Sequence, residues 1–134
     1  CHDILAHVAV REDLPRVIDD FCQRGIIGSA QQRHDISALI DKAWTQPKLC
    51  DWFSSRWQLL REQAILINGE ERRPDRVMLS GQQVVLLDYK FGTQPKPEYR
   101  TQVRGYMETM RALGYTDVQG YLWYARTDKL EEVQ

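Results

Sequence analysis

The chain has 134 residues, of which 43% are hydrophobic and 28% charged, with a formal net charge of −1. That apolar content can bury a real core and argues against disorder, while no stretch reaches the ~20 consecutive apolar residues of a membrane helix. Near-neutrality also argues against a free-standing nucleic-acid binder, which carries a basic surplus.

One compact domain over residues 1–134 is therefore expected. The chain opens Cys-His-Asp in a helix-like pattern, with no initiator methionine and no signal-peptide pattern, and is expected to be a fragment of a longer protein. Cys1, Cys22 and Cys50 make neither a C-x-x-C motif nor a disulfide framework, so reduced thiols are expected.

In chain order, Ile4, Leu5 and Val8 fit a first helix. Asp13 is positioned to cap a second, with Leu14, Val17, Ile18 and Phe21 as its buried stripe and Gly25 as its stop. Gly28-Ser29-Ala30 reads as a loop, and Asp35 as the cap of a third helix carrying Ile36, Leu39, Ile40, Ala43 and Trp44 up to Pro47. Lys48 to Phe53 adds a helical turn. Phe21 and Trp44 are expected in the core.

A strand is expected from Trp57 to Ile67, ending at the hairpin signal Asn68-Gly69. Two further strand-like runs flank Ser80-Gly81-Gln82, a turn signal. Pro97 opens a helix to Leu113, stopped by Gly114, with Tyr99, Val103, Tyr106, Met107, Met110 and Leu113 as its apolar stripe. Gln102 and Tyr106 share one face of this helix, and Arg100, Arg104 and Arg111 fall on a neighbouring one. A last strand runs from Val118 to Ala125. The order of elements suits an α/β sandwich with a mixed sheet, as in the restriction-endonuclease-like fold.

Chemistry concentrates in the second hairpin. Centring its loop between Gly81 and Gln82 sets Asp75 directly opposite Asp88. Asp88 and Lys90, two apart, then share a sheet face while Tyr89 points the other way. Opposed carboxylates destabilise a strand pair and resist joint ionisation, and a hard divalent cation, Mg²⁺ or Mn²⁺, would compensate them. Lys90 could then act on a water or hold charge developing on a phosphate. The residues alone equally admit Asp75 as the end of a strand and Asp88–Lys90 as an ordinary surface ion pair.

The order Asp75-Arg76-Val77, Asp88-Tyr89-Lys90, Gln102-x-x-x-Tyr106, closing on the aromatic strand Tyr121-Leu122-Trp123-Tyr124, resembles the RecB-like nuclease domain of the PD-(D/E)XK superfamily. That domain stands at the C-terminus of RecB and AddA helicase–nucleases. His2-Asp3-Ile4-Leu5 is similar to the H-x-x-L helix of the same family, so the resemblance spans nearly the whole chain. One departure is Pro74, where family members often have glycine.

The resemblance implies a restriction-endonuclease-like core, a mixed sheet flanked by helices, and Mg²⁺-dependent hydrolysis of DNA phosphodiester bonds, of the exonuclease kind, in recombination and repair. It makes Asp75, Asp88, the Tyr89 backbone carbonyl and His2 the metal ligands, with Lys90 as the catalytic lysine and Glu62 as an accessory carboxylate. Gln102 and Tyr106 would contact the DNA backbone, with Arg100 and Arg104 as nearby cations, and Arg72, Arg73 and Arg76 as further local positive charge. The implied partners are DNA, the helicase region of the same parent chain and a second helicase–nuclease subunit, in the bacterial cytoplasm. Some relatives carry an iron–sulfur cluster on four cysteines, three of them near the C-terminus; no cysteine follows Cys50, so none is expected. The competing expectation is a catalytically inactive relative that binds DNA or braces a helicase complex.

Overall fold

The chain divides between a helical unit, Cys1–Arg56, and a sheet unit, Trp57–Gln134. The computed structural model describes residues 2–60, 65–67, 70–72, 74–92 and 94–134, and side chains within 4–60, 74–92 and 94–134.

In the helical unit, α1 is His2–Ala6, a 3-10 turn covers Arg11–Asp13, and α2 is Leu14–Gln23. α3 is Ala30–Ala43 and α4 is Pro47–Trp52. The stripe Leu14, Val17, Ile18 and Phe21 is buried, as its spacing predicts. Trp44 is only half-buried, with its ring edge-on to Phe53 at 5.1 Å.

Asp13 occupies the N-cap of α2, but its carboxylate turns back and accepts from the backbone of Ala9 (3.1 Å) and Val10 (3.2 Å). The Val10 hydrogen bond is the main reason that its carboxyl titrates below the ordinary range.

The third helix corrects the sequence reading. It is capped by Ser29, whose hydroxyl accepts from Gln32 N at 3.1 Å, while Gln32 Oε1 accepts from Gly28 N at 3.0 Å. This S-x-x-Q pairing satisfies amides at the true helix start. Asp35 lies a turn and a half inside, exposed and bonded to Gln31.

In the sheet unit, β1 is Gln58–Leu59, β2 Ile65–Ile67, β3 Glu70–Arg72, β4 Arg76–Ser80 and β5 Gln83–Lys90. Helix α5, Pro97–Ala112, crosses to β6, Asp117–Tyr124, which turns into β7, Lys129–Val133. The class is mixed α/β, with a five-stranded sheet in the order β1-β4-β5-β6-β7 and a separate β2-β3 ribbon. Among the described residues only the β5–β6 pair is parallel, as a helical crossover requires.

The single strand expected from Trp57 to Ile67 is instead divided. Gln58 and Leu59 pair with β4, whereas Ile65–Ile67 pair with Glu70–Arg72 across residues 68–69. The antiparallel β2–β3 pairing agrees with the hairpin signal, and Asn68-Gly69 themselves lie outside the described residues.

The ladder of β4 and β5 runs from Arg76↔Leu87 to Ser80↔Gln83. Gly81 turns it with φ at 62°, a left-handed conformation that glycine adopts without steric cost. On one face Val77, Val84, Leu86, Val118 and Leu122 pack with Val103, Tyr106, Met107 and Met110 of α5. Contact is closest at Gly120, where an added Cβ would meet Val103 Cγ1 at 2.5 Å and Met107 Sδ at 2.6 Å. Leu113, assigned to the apolar stripe, is 63% exposed because it caps the helix after the last packed turn. The opposite face carries Met78, Val85, Leu87, Tyr89, Tyr121 and Trp123, all buried. Among the described residues, no helix is long and apolar enough to cross a membrane.

Candidate functional site

One step beyond Arg76↔Leu87, the same register sets Asp75 opposite Asp88. Their side chains complete the ladder where regular β4 pairing stops. Asp75 N donates to Asp88 Oδ1 at 2.9 Å, and Tyr89 N donates to Asp75 Oδ2 at 2.8 Å. Asp75 is exposed, whereas Asp88 is only 4% exposed. A carboxylate this deeply buried needs charge partners. One is Lys90, whose Nζ lies 3.9 Å from Asp88 Oδ2.

Lys90 follows Asp88 on the face that α5 covers, two residues on, as strand alternation dictates. Its Nζ also stands 4.4 Å from the centre of the Tyr99 ring, in the first turn of α5. Helix α5 starts beside the C-terminal end of β5, which is why its first turn reaches this group.

Tyr89 points to the other face, edge-on to Trp123 with ring centres 6.1 Å apart. Burial pushes its hydroxyl well above the ordinary tyrosine range, against the pull of the hydrogen-bonded Arg76 side chain; Asp75 and Asp88 add to the upward shift. Arg76, read from the sequence as local charge for phosphate contact, is 5% exposed and committed to this interior. The N–H and C=O of a strand residue point to the same side, so the Tyr89 carbonyl faces the Asp75 edge to which its N–H donates.

The residues expected on α5 separate by face. Tyr106 is buried in the core cluster and Gln102 is half-buried. Arg100 and Arg104 lean over β7: Arg100 forms an ion pair with Glu131, and Arg104 Nε donates to the Gln134 carbonyl at 2.6 Å. Glu131 keeps the Arg100 guanidinium charged to still higher pH.

Two tyrosines named in the sequence reading turn out to flank Lys90. Tyr99 was assigned to the apolar stripe, although its place at the start of α5 marks it as a neighbour of the β5 end. Tyr124 is the register partner of Lys90 and lies with its ring centre 6.5 Å from that of Tyr99. Its hydroxyl is buried with no hydrogen-bond partner among the described residues, and burial raises its pKa. A parallel register leaves no local signal in the sequence, so nothing placed Tyr124 beside Lys90.

Side chains of His2 and residue 62 are outside those described; His2 begins α1, and Glu62 is wholly outside the described residues. Among the described residues, no group of three His, Cys, Asp or Glu side chains is placed to hold a metal ion. The paired carboxylates and the neighbouring carbonyl form a hard oxygen set, and such a set suits Mg²⁺ or Mn²⁺ over softer ions. Cys22 and Cys50 carry free thiols. No protein-family model matches the chain, and no curated protein sequence matches it.

Proposed function

We propose that this chain is a metal-dependent DNA nuclease domain with a restriction-endonuclease-like core, an exonuclease in the manner of the RecB-like family it resembles. The observation that carries the reading is the gathering of Asp75, Asp88 and Lys90 at one end of one hairpin, with Lys90 Nζ 3.9 Å from Asp88 Oδ2. The mixed sheet and the α5 crossover that covers this end support the same reading.

Asp75, Asp88 and the Tyr89 carbonyl would hold Mg²⁺ or Mn²⁺. When bound, such an ion supplies Lewis acidity to a water and to a phosphate oxygen. The chain's own contribution is positional. The Asp75 amide fixes the orientation of the Asp88 carboxylate, and Asp88 in turn draws the Lys90 ammonium to the same face. From there Lys90 orients the attacking water or donates to charge developing on the phosphate. Gln102, half-buried on α5, helps place the DNA backbone, while Tyr106 supports that helix from the core. Arg100 and Arg104 contribute only by exchanging Glu131 and the Gln134 carbonyl for phosphates. The parent context we infer is a helicase–nuclease of the bacterial cytoplasm, with a helicase region and a second subunit delivering DNA.

A second reading has an observation of its own. Each carboxylate already accepts a backbone N–H, so the pair could serve architecture alone, in a domain that binds DNA or braces a helicase complex without cleaving. Incubating the chain with end-labelled linear DNA separates the two readings. Hydrolysis in Mg²⁺, abolished by EDTA and by Asp88→Asn, supports the nuclease; binding without hydrolysis in Mg²⁺ or Mn²⁺ supports the architectural reading.

A further inference from the structure

A lysine stem is long and flexible, so fixing its ammonium takes partners on more than one side. Asp88 Oδ2, at 3.9 Å from Nζ, is too distant for a normal hydrogen bond and cannot fix Lys90 alone. The second partner is an aromatic face. Lys90 Nζ lies 4.4 Å from the centre of the Tyr99 ring, within the range where the negative ring face attracts a cation. The Lys90 side chain is 18% exposed, so solvent weakens this attraction far less than at an open surface. The exposed Lys96 stands farther from the same ring, at 5.9 Å. Tyr99 is itself held, packed at the margin of the α5 core cluster.

We propose that Tyr99 is a positioning residue for Lys90: its ring is a second partner for the ammonium besides Asp88 and so aims it at the reacting phosphate. The proposal rests on the nuclease reading, because Lys90 is the group that acts there. It assigns function to the ring and none to the hydroxyl. Tyr99→Phe therefore behaves as the wild type, whereas Tyr99→Leu keeps apolar bulk and loses the ring.

Two measurements on the purified chain test this. The first is the proton NMR shift of the Lys90 ε-methylene, which needs no catalysis. A ring over the ammonium moves it upfield in the wild type and in Tyr99→Phe, and the shift vanishes in Tyr99→Leu. The second is DNA hydrolysis in Mg²⁺. Tyr99→Leu lowers kcat about tenfold with the DNA Kd unchanged, as expected for loss of one partly desolvated cation–π contact. It lowers activity no further in a Lys90→Ala background, while Lys96→Ala leaves kcat unchanged. A Lys90 shift that survives Tyr99→Leu, or an equal rate loss in the Lys90→Ala background, overturns the proposal and leaves the nuclease reading standing. A wild-type chain with the NMR signature but no hydrolysis overturns the nuclease reading, and the catalytic purpose of the positioning with it.

Discussion

Asp75 and Asp88 are clasped through the backbone: the amide of Asp75 donates to Asp88 Oδ1 at 2.9 Å, and Asp75 Oδ2 accepts from the amide of Tyr89 at 2.8 Å. The clasp continues the β4–β5 ladder one step past its last backbone pair. It turns two opposed anions, a destabilising arrangement in an ordinary hairpin, into acceptors for the backbone amides of Asp75 and Tyr89.

Removing the acceptor has a stability consequence. Asp75→Ala removes the 2.8 Å hydrogen bond from the Tyr89 amide to a charged acceptor and should destabilise the metal-free fold by about 1.5–3 kcal/mol. Asp75→Asn keeps an oxygen and should lose markedly less. Urea denaturation without metal checks this, and equal stability for Asp75→Ala and wild type would remove the clasp from the account.

Catalysis and binding separate at Lys90. Lys90→Ala leaves both carboxylates in place and should reduce cleavage on the order of 10² or more, with DNA affinity changed far less. Gln102→Ala should lower the rate more modestly by loosening DNA placement. Single-turnover cleavage alongside a DNA-binding titration decides the matter; affinity that falls in step with activity in Lys90→Ala contradicts the assignment.

The seat of α5 is sensitive to a single methyl group. A Cβ at position 120 would fall 2.5 Å from Val103 Cγ1 and 2.6 Å from Met107 Sδ. Gly120→Ala should therefore destabilise the chain by about 1–3 kcal/mol through overpacking, and should impair cleavage as α5 carries Tyr99 away from Lys90. Thermal melts and the same nuclease assay read both effects, and an unperturbed melt would mean that the helix has room to move.

Alkaline stability should report Tyr89. Its folded pKa lies above the ordinary tyrosine value, chiefly through burial. The stabilisation is therefore fully present below the unfolded pKa of about 10, and is lost as pH rises toward the folded value. Over that window the unfolded chain sheds a proton that the folded chain keeps, so stability falls by about 1.4 kcal/mol per pH unit from this one group. Tyr89→Phe should start less stable at neutral pH, having lost the hydroxyl beside Arg76, yet decline less steeply above about pH 10. Parallel declines would place the alkaline sensitivity elsewhere.

The part of the site nearest the turn was legible because it depends on local rules. Gly81 sets the turn, the turn sets the register, and the register sets Asp75 against Asp88 and Lys90 on the α5 face. The part that depends on distant chain was not. β7 reads as polar, Lys-Leu-Glu-Glu-Val, because it is an edge strand, so the sequence offered no partner for Arg100 or Arg104. With Glu131 unseen, those arginines looked available for phosphate. The α3 cap was written in Ser29-Ala30-Gln31-Gln32, but Asp35 is the stronger-looking cap until the reciprocal Gln32 contact is considered.

The central claim, that the Asp75–Asp88 pair is a metal site, is tested most directly by the melting temperature with and without Mg²⁺. A ion bound only by the folded chain raises it by mass action, by about 2.7 kcal/mol of stability at a hundred times Kd. Asp88→Asn keeps an oxygen for the Asp75 amide and should leave the fold intact while abolishing that rise. A wild-type chain indifferent to Mg²⁺ and Mn²⁺, or an Asp88→Asn variant that responds as the wild type does, would contradict the account.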